Sequence, residues 1–285
     1  KGNNWDALLD TFFDTEGPAP TPAHEPTQEP AVRVDPTVTN MHFYHAMVEF
    51  EQWDGQNFKR TKQATLATGI FGPVYAMHRQ AEGDVVVVKK MPNVKVDSTK
   101  SSESNDRTAH FNPRSENVME DALQEIGIMQ YLSQQRPQCD FILRLIGVFR
   151  DDNETFLVTE KCEMELFDMA AGADRTPEQQ TRRWIWQILQ AMRFLHIHNI
   201  GHRDLSLENC MLNNPVDRDI RVFDFGQAVQ LWVDDAEAVD GRTYLRYFRP
   251  AGKNYYRPPE AYVPPSGALL NTKATCPVGY AAGSV

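Results

Sequence analysis

Three short blocks carry the residues of this chain best suited to chemistry. They are His202-Arg203-Asp204-Leu205-Ser206-Leu207-Glu208-Asn209, then Asp224-Phe225-Gly226, then Arg257-Pro258-Pro259-Glu260. Carboxylates and a side-chain amide are groups for proton transfer and for binding hard cations. Upstream, Leu66-Ala67-Thr68-Gly69-Ile70-Phe71-Gly72-Pro73-Val74 is a turn in which Gly69 and Gly72 allow backbone N–H groups to approach an anion without intervening side chains. Taken singly, each block has an ordinary structural reading: an aspartate capping a turn, another ending a strand, glycines turning a hairpin. Three blocks in this order make such a reading of all of them untenable.

In that order the blocks resemble the catalytic loop, metal-binding loop and activation-segment end of the eukaryotic-type protein kinase family. The resemblance implies phosphoryl transfer from ATP with Mg²⁺, in which the protein chiefly holds the nucleotide, neutralises charge and aims a hydroxyl. By resemblance Asp204 orients the substrate hydroxyl and accepts its proton, while Asn209 and Asp224 bind Mg²⁺. Ala67, Gly69 and Gly72 cover the phosphates, with Ala67 standing where the family has its first glycine. Lys89 follows Val74 at the family's interval for the phosphate-binding lysine, and alternation along a strand sends Lys90 to the opposite face. Glu125 is the expected ion-pair partner of Lys89, and Glu120 competes for that role but falls a turn too early. Thr159-Glu160-Lys161-Cys162 resembles the hinge that binds adenine, Val74 and Val87 enclose the base, and Glu165 contacts ribose. Family members usually carry Ala at the position of Val87.

By resemblance, Arg203 beside Asp204 marks kinases switched on by activation-segment phosphorylation, a cation that new phosphate charge would satisfy. The acceptors between Asp224 and Glu260 are Thr243, Tyr244, Tyr247, Tyr255 and Tyr256, of which Thr243 and Tyr244 lie far from either anchor. Two further departures bear on substrate class. Family members acting on Ser or Thr usually place Lys two residues after the catalytic Asp, to touch the γ-phosphate, and Thr after the glycine of the substrate-facing loop. This chain has Ser206 and Gly252-Lys253 there. Tyr-directed signatures are missing too, so serine/threonine specificity is the expectation.

The elements that must position these residues are legible in outline. Val85 to Lys90 is a β-branched run of strand length, and Val96 to Glu116 reads as a long Ser-rich loop. Glu120 to Leu132 reads as a helix with Leu123, Ile126, Met129 and Tyr131 or Leu132 inward. Phe141 to Phe149 and Thr155 to Thr159 read as strands joined by the turn Asp151-Asp152-Asn153. Thr176-Pro177-Glu178-Gln179 then offers an N-cap, a proline at the first helical position and a capping-box partner. The helix behind it runs to about His198 with Trp184, Ile188, Met192 and Leu195 on one face. The expectation is an α+β, two-lobed protein kinase-like fold, with a small β-rich N-lobe over residues 58–159 and a hinge with a mainly helical C-lobe over 160–285.

Residues 1–57 read as a tail. The first 58 residues hold Asp6, Asp10, Asp14, Glu16, Glu25, Glu29, Asp35, Glu49, Glu51 and Asp54 against Lys1 and Arg33, so most of the formal charge of −10 belongs here. Trp5, Leu8, Leu9, Phe12 and Phe13 share one helix face, giving a candidate amphipathic helix over 4–14 that would dock in a partner's groove. Pro18 to Pro36 forbid its continuation and favour an extended linker. The near-neutral remainder gives no support to nucleic-acid binding. No apolar run reaches the ~18 residues that span a bilayer. Cys139, Cys162, Cys210 and Cys276 lack metal-ligand spacing and read as reduced thiols, which favours an intracellular, cytoplasmic setting.

The resemblance covers about Phe58 to Glu260. The residues beyond show no sign of the further helices of the family's larger lobe, so an incomplete C-lobe is expected, with the Trp184 to Leu195 face partly uncovered. The functional expectation is a protein kinase phosphorylating Ser or Thr of protein substrates. The alternative is a pseudokinase scaffold, kept open by Ala67, Val87, Ser206 and Lys253.

Overall fold

A computed structural model describes residues 44–62, 65–98, 120–172, 176–230, 252, 253 and 256. After a 3₁₀ turn at His45–Met47 come strands β1 (Glu51–Gln52), β2 (Phe58–Arg60), β3 (Ala67–Thr68), β4 (Pro73–Arg79) and β5 (Val85–Pro92). Helices α1 (Asn93–Ser98) and α2 (Ala122–Gln134) follow, then β6 (Leu145–Arg150), β7 (Glu154–Glu160), β8 (Met164–Glu165) and α3 (Leu166–Ala171). The long α4 (Glu178–Ile197) leads to β9 (Ile200–Gly201), a 3₁₀ turn at Leu207–Asn209, β10 (Cys210–Leu212), β11 (Ile220–Val222) and β12 (Val229–Gln230).

Seven strands form one sheet in the order β1-β6-β7-β5-β4-β2, with β3 paired to β4; β1 runs parallel to β6 and the other pairs are antiparallel. Alternation sorts its side chains onto two faces. Val86 and Val88 of β5 join Phe58, Met77, Phe156 and Val158 in an outer cluster. There Trp53 stacks on Phe156 and Phe58, with centroids 3.9 and 4.4 Å apart. Met91 and Leu157 face the other way, into the main core shared with α2 and α4. Burying a valine fully contributes roughly 1.5–3 kcal/mol, so the paired faces hold β5 firmly in register. The stretch expected as a tail to residue 57 therefore ends in folded structure: Tyr44 is buried, β1 belongs to the sheet and Trp53 stacks on Phe156. Residues 4–14 lie outside the described residues, as do 99–119 of the expected Ser-rich loop.

Three local readings need correction. Val96 is no loop residue; it sits in α1, wholly buried. The strand expected from Phe141 begins only at Leu145, because the preceding donors are diverted elsewhere. The Leu143 amide donates to Val222 O (2.9 Å) and the Arg144 amide to the Glu160 carboxylate (2.8 Å). At α4 the N-cap is Pro177, with ψ 141°, and not Thr176. Its carbonyl accepts the Thr181 amide at 3.1 Å, so the proline stands one position outside the helix and no side chain caps the end.

Helix α4 is tied to β11, the strand that ends at Val222 just before Phe223-Asp224. Trp184 Nε1 donates to Arg218 O (2.7 Å), Gln187 Oε1 accepts the Ile220 amide (3.0 Å) and Gln187 Nε2 donates to Asp219. Of the face expected to be partly uncovered, Trp184 and Leu195 are buried and Ile188 and Met192 half-buried; the large apolar side chains of this helix that are exposed are Ile185 and Ile197. A sheet-bearing lobe and a helix-bearing lobe with a second, three-stranded sheet (β11-β10-β8) make up the described fold. The helical part is sparse. No helix among the described residues is long and apolar enough to cross a membrane.

Candidate active site

Strand β5 and helix α2 bring together the first pair. Lys89 Nζ lies 2.7 and 3.0 Å from the two carboxylate oxygens of Glu125. Lys90 faces the other way and pairs with Glu154 at 3.1 Å. Asp121 caps α2, accepting the Gln124 amide at 3.0 Å and contacting His45 Nε2 at 2.8 Å. Glu125 thus stands in the first turn, where its charge also meets the helix dipole favourably. Burial would lower the Lys89 pKa, but the charges of Glu125 and Asp224 and the Glu125 hydrogen bonds outweigh it and hold the ammonium above its usual range. Burial pushes the Glu125 carboxyl up, against the pull of Lys89. Phe71, from the glycine-bearing turn, is buried and its ring centroid lies 5.7 Å from Lys89 Nζ.

That turn is closed by Gly69 N to Gly72 O at 2.9 Å and Gly72 N to Gly69 O at 3.2 Å. Its two glycines differ in kind. A Cβ on Gly72 would stand 2.2 Å from the backbone oxygen of Lys90, whereas one on Gly69 would meet its nearest atom at an ordinary 3.7 Å. Ala67 pairs with Val74 at the base of the turn, and its methyl is exposed.

The β10–β11 hairpin assembles the second group. Cys210 pairs with Val222, and the Phe223 amide donates to Asn209 O at 3.1 Å, so Asn209 at one end and Asp224 at the other are brought side by side. Asn209 Nδ2 donates to both Asp204 O (2.7 Å) and Asp204 Oδ2 (3.0 Å). Both partners are acceptors, which turns the amide nitrogen inward and leaves its carbonyl oxygen as the donor atom for a hard cation. Asp224 adopts φ +66° and Arg203 φ +67°, left-handed conformations that non-glycine residues hold only where surroundings enforce them. His202 is wholly buried, contacting Phe223 O at 3.0 Å through Nε2 and accepting the Asp204 amide at Nδ1 at 3.3 Å. Burial pushes its pKa down, keeping a neutral ring behind the loop.

Asp204 is further gripped from Gln227 and Lys253. Gln227 Nε2 donates to Oδ2 (3.2 Å), the Lys253 amide donates to Oδ1 (3.1 Å), and Lys253 Nζ lies 3.4 Å from Oδ2 and 2.9 Å from Ser206 Oγ. Gln227 had no signal in the sequence, since no spacing rule links it to Asp204.

A donor set of one amide oxygen and one carboxylate suits Mg²⁺, which keeps several waters and completes its shell with phosphate oxygens. Among the described residues no cluster of three His, Cys, Asp or Glu side chains could hold a metal by itself. Glu120 lies beside this group: a Cβ on Gly226 would meet its side chain at 3.2 Å. Burial and the Asp224 charge push its carboxyl up to about 7.

Of the expected hinge residues, Thr159 is buried opposite Val87 in β7. Glu160 accepts from the Arg144 amide and from Arg221 Nε (3.1 Å), so its side chain ties the end of β7 to β11. Cys162 is buried and its thiol pushed up to about 12 by desolvation. Val74 and Val87 are half-buried on adjacent strands, and Glu165 ends β8 with a carboxyl raised by burial. A cavity of about 320 Å³ is lined by Met129, Cys139, Glu160, Phe194 and Arg221 and by none of Lys89, Asp204 or Asp224. Thr243, Tyr244, Tyr247 and Tyr255 lie outside the described residues, and Tyr256 is exposed.

Residues 60–268 match the family model described as "Protein kinase domain". Human "Cyclin-dependent kinase-like 4" is 29% identical over 206 residues, 72% of this chain and 45% of that protein. "Serine/threonine-protein kinase PLK4" of Xenopus tropicalis is 33% identical over 117 residues, 39% of this chain and 12% of that protein. "Carbon catabolite-derepressing protein kinase" of Saccharomyces cerevisiae is 36% identical over 85 residues, 30% of this chain and 13% of that protein. The aligned part spans about half the length, or less, of these curated relatives.

Proposed function

The chain belongs to the protein kinase family, and on that premise we propose that it transfers the γ-phosphate of ATP to Ser or Thr hydroxyls of protein substrates. The observation that carries this reading is the joint engagement of Lys89 with Glu125 and of Asn209 with Asp204, two separate pairs that the chemistry needs at once. Asp204 is the acceptor for the hydroxyl proton. As that oxygen bonds to the γ-phosphorus, the bond to the β–γ bridging oxygen breaks and ADP leaves with its electron pair. Asn209 and Asp224 are the residues to hold Mg²⁺, which when bound neutralises phosphate charge. Lys89, kept cationic and aimed by Glu125, holds the α- and β-phosphates, and the Gly69–Gly72 turn covers them.

The Ser/Thr acceptor is supported by likeness to a relative whose name carries that specificity. The test is transfer of labelled γ-phosphate from Mg·ATP to a mixed Ser, Thr and Tyr peptide pool by the full-length protein and its Asp204→Asn variant. The expected result is label on Ser and Thr, reduced about 10²–10⁴-fold in the variant with ATP binding retained. Equal transfer by both proteins, or none by a folded, ATP-binding wild type, overturns the reading and leaves the scaffold alternative.

A further inference from the structure

We propose that Lys253 and Ser206 together make the γ-phosphate contact of this kinase, the cation reaching Asp204 from the position after Gly252 and not from the catalytic loop itself. The inference rests on the kinase reading above. In sequence, Ser206 and Lys253 look like two unrelated departures from the family pattern, a hydroxyl where a lysine is usual and a lysine where a hydroxyl is usual. In space they are one feature. Lys253 Nζ is 2.9 Å from Ser206 Oγ and 3.4 Å from Asp204 Oδ2, so the ammonium and the hydroxyl stand together beside the base, with their chain positions exchanged.

The placement of this lysine is enforced by the backbone. Gly252 has φ +79°, and a Cβ there would stand 2.7 Å from Arg203 O, so the chain is pressed onto the catalytic loop where only glycine fits. The Gly252 amide donates to Gln227 Oε1 (2.9 Å), and the Lys253 amide donates to Asp204 Oδ1 (3.1 Å). Asp204 and Ser206 are buried, whereas the Lys253 side chain is 37% exposed, leaving the ammonium on the solvent side of the carboxylate where an incoming anion arrives.

Charge gives the reason such a cation is needed. Asp204, Glu165 and Glu208 all interact with Lys253. Phosphate approaching Asp204 would meet like charge, and a positioned donor cation offsets that field while strengthening as the transferring group gains charge. Ser206 holds the ammonium in place as an acceptor and keeps its own buried oxygen satisfied.

The test uses Lys253→Thr, Ser206→Lys and the double variant S206K/K253T in the full-length protein. It reads γ-phosphate transfer to the Ser/Thr peptide pool and, by calorimetry, the affinities for Mg·ATP and Mg·ADP. Lys253→Thr should lower transfer about 10²-fold and remove a preference for ATP over ADP of about tenfold. The double variant, which restores the family arrangement, should recover to within about fivefold of wild type, a non-additivity expected only of side chains sharing one contact. Lys253→Arg, with a melting curve matching wild type, should keep the ATP preference that Lys253→Thr loses. A double variant no faster than the product of the singles overturns the proposal. So does faster transfer by Lys253→Thr, which would make Lys253 a block on Asp204. If wild type transfers nothing, the kinase reading fails, while an unchanged ATP-to-ADP ratio in Lys253→Thr separately dismisses the lysine.

Discussion

The Lys89–Glu125 pair and the Asp204 network hold charge in opposite ways. The first is two side chains on a central strand and a capped helix, buried and bound mainly to each other. The second is a carboxylate on a loop, held by two carboxamides, a backbone amide and an ammonium that come from Asn209, Gln227 and Lys253. The first takes its precision from regular elements whose register is fixed by core packing. The second takes it from strained backbone: Arg203, Asp224 and Gly252 all have positive φ. Damage to the first should therefore appear in global stability, and damage to the second in rate with stability nearly intact.

The largest stability effect is expected for Lys89→Met, about 3–5 kcal/mol, the usual cost of leaving a buried charge without its partner. The cost depends on pH through Glu125. Its folded pKa is already raised by burial and rises further without Lys89, so the protonated carboxyl is tolerated at low pH. Stability of the variant should fall as pH rises through that folded value, and urea unfolding across a pH series reads the slope. The double variant K89M/E125L should regain most of the loss while transferring no phosphate, since an apolar pair of similar volume replaces a buried ion pair at little cost. A double variant as unstable as the single would break the distinction drawn here.

Next in size is Gly72→Ala, expected to cost about 1–3 kcal/mol because the Lys90 carbonyl that its methyl meets belongs to the central strand and cannot give way. Gly69→Ala, with open space around it, should change the urea midpoint little. Equal effects would mean that the turn, and not strand β5, sets the tolerance.

The same contrast explains how much could be read from the sequence. The family's interval from Val74 points to Lys89, and the resemblance pairs it with Glu125; strand alternation and helical spacing support both choices because the residues sit on regular elements whose period is visible in sequence. Asn209 and Asp224 are marked by their loop motifs, whereas the β10–β11 hairpin that joins them was not read from the sequence. What escaped was tertiary. The pairing of Lys253 with Ser206 spans 47 positions and depends on a glycine pressed against Arg203. Gln227 acts through a side chain that no periodicity marks. The late start of β6 and the proline N-cap of α4 were missed for a related reason: donors at Leu143 and Arg144 are taken by partners distant in sequence, and Pro177 ψ keeps it outside the helix.

Gly252→Ala sharpens the comparison from the other side. A methyl at φ +79° and 2.7 Å from Arg203 O must displace Gly252 and with it Lys253, yet neither of these two belongs to the hydrophobic core among the described residues. The expected outcome is a drop in transfer of about 10- to 100-fold with a urea midpoint shifted by less than about 1 kcal/mol equivalent. Loss of global stability instead would mean that the Asp204 network braces the fold as the Lys89 pair does.

The smallest effect is expected at the seam between the two regions, where the Asp121 amide donates to Gly226 O (2.8 Å) and Glu120 lies against Gly226. Its carboxyl is pushed from 4.5 up to about 7, by burial first and then by Asp224. The folded protein therefore binds a proton that the unfolded chain has already lost between these values. That contribution to stability is full below 4.5 and is lost as pH rises through 7. Glu120 is only half-buried, so solvent screening keeps the slope shallow. In Mg²⁺-free buffer Glu120→Gln should flatten unfolding stability against pH over this window, leaving the residual slope that Glu125 supplies. If the two proteins give the same slope, the proton belongs to the Lys89 pair alone, and the two regions titrate independently across the seam.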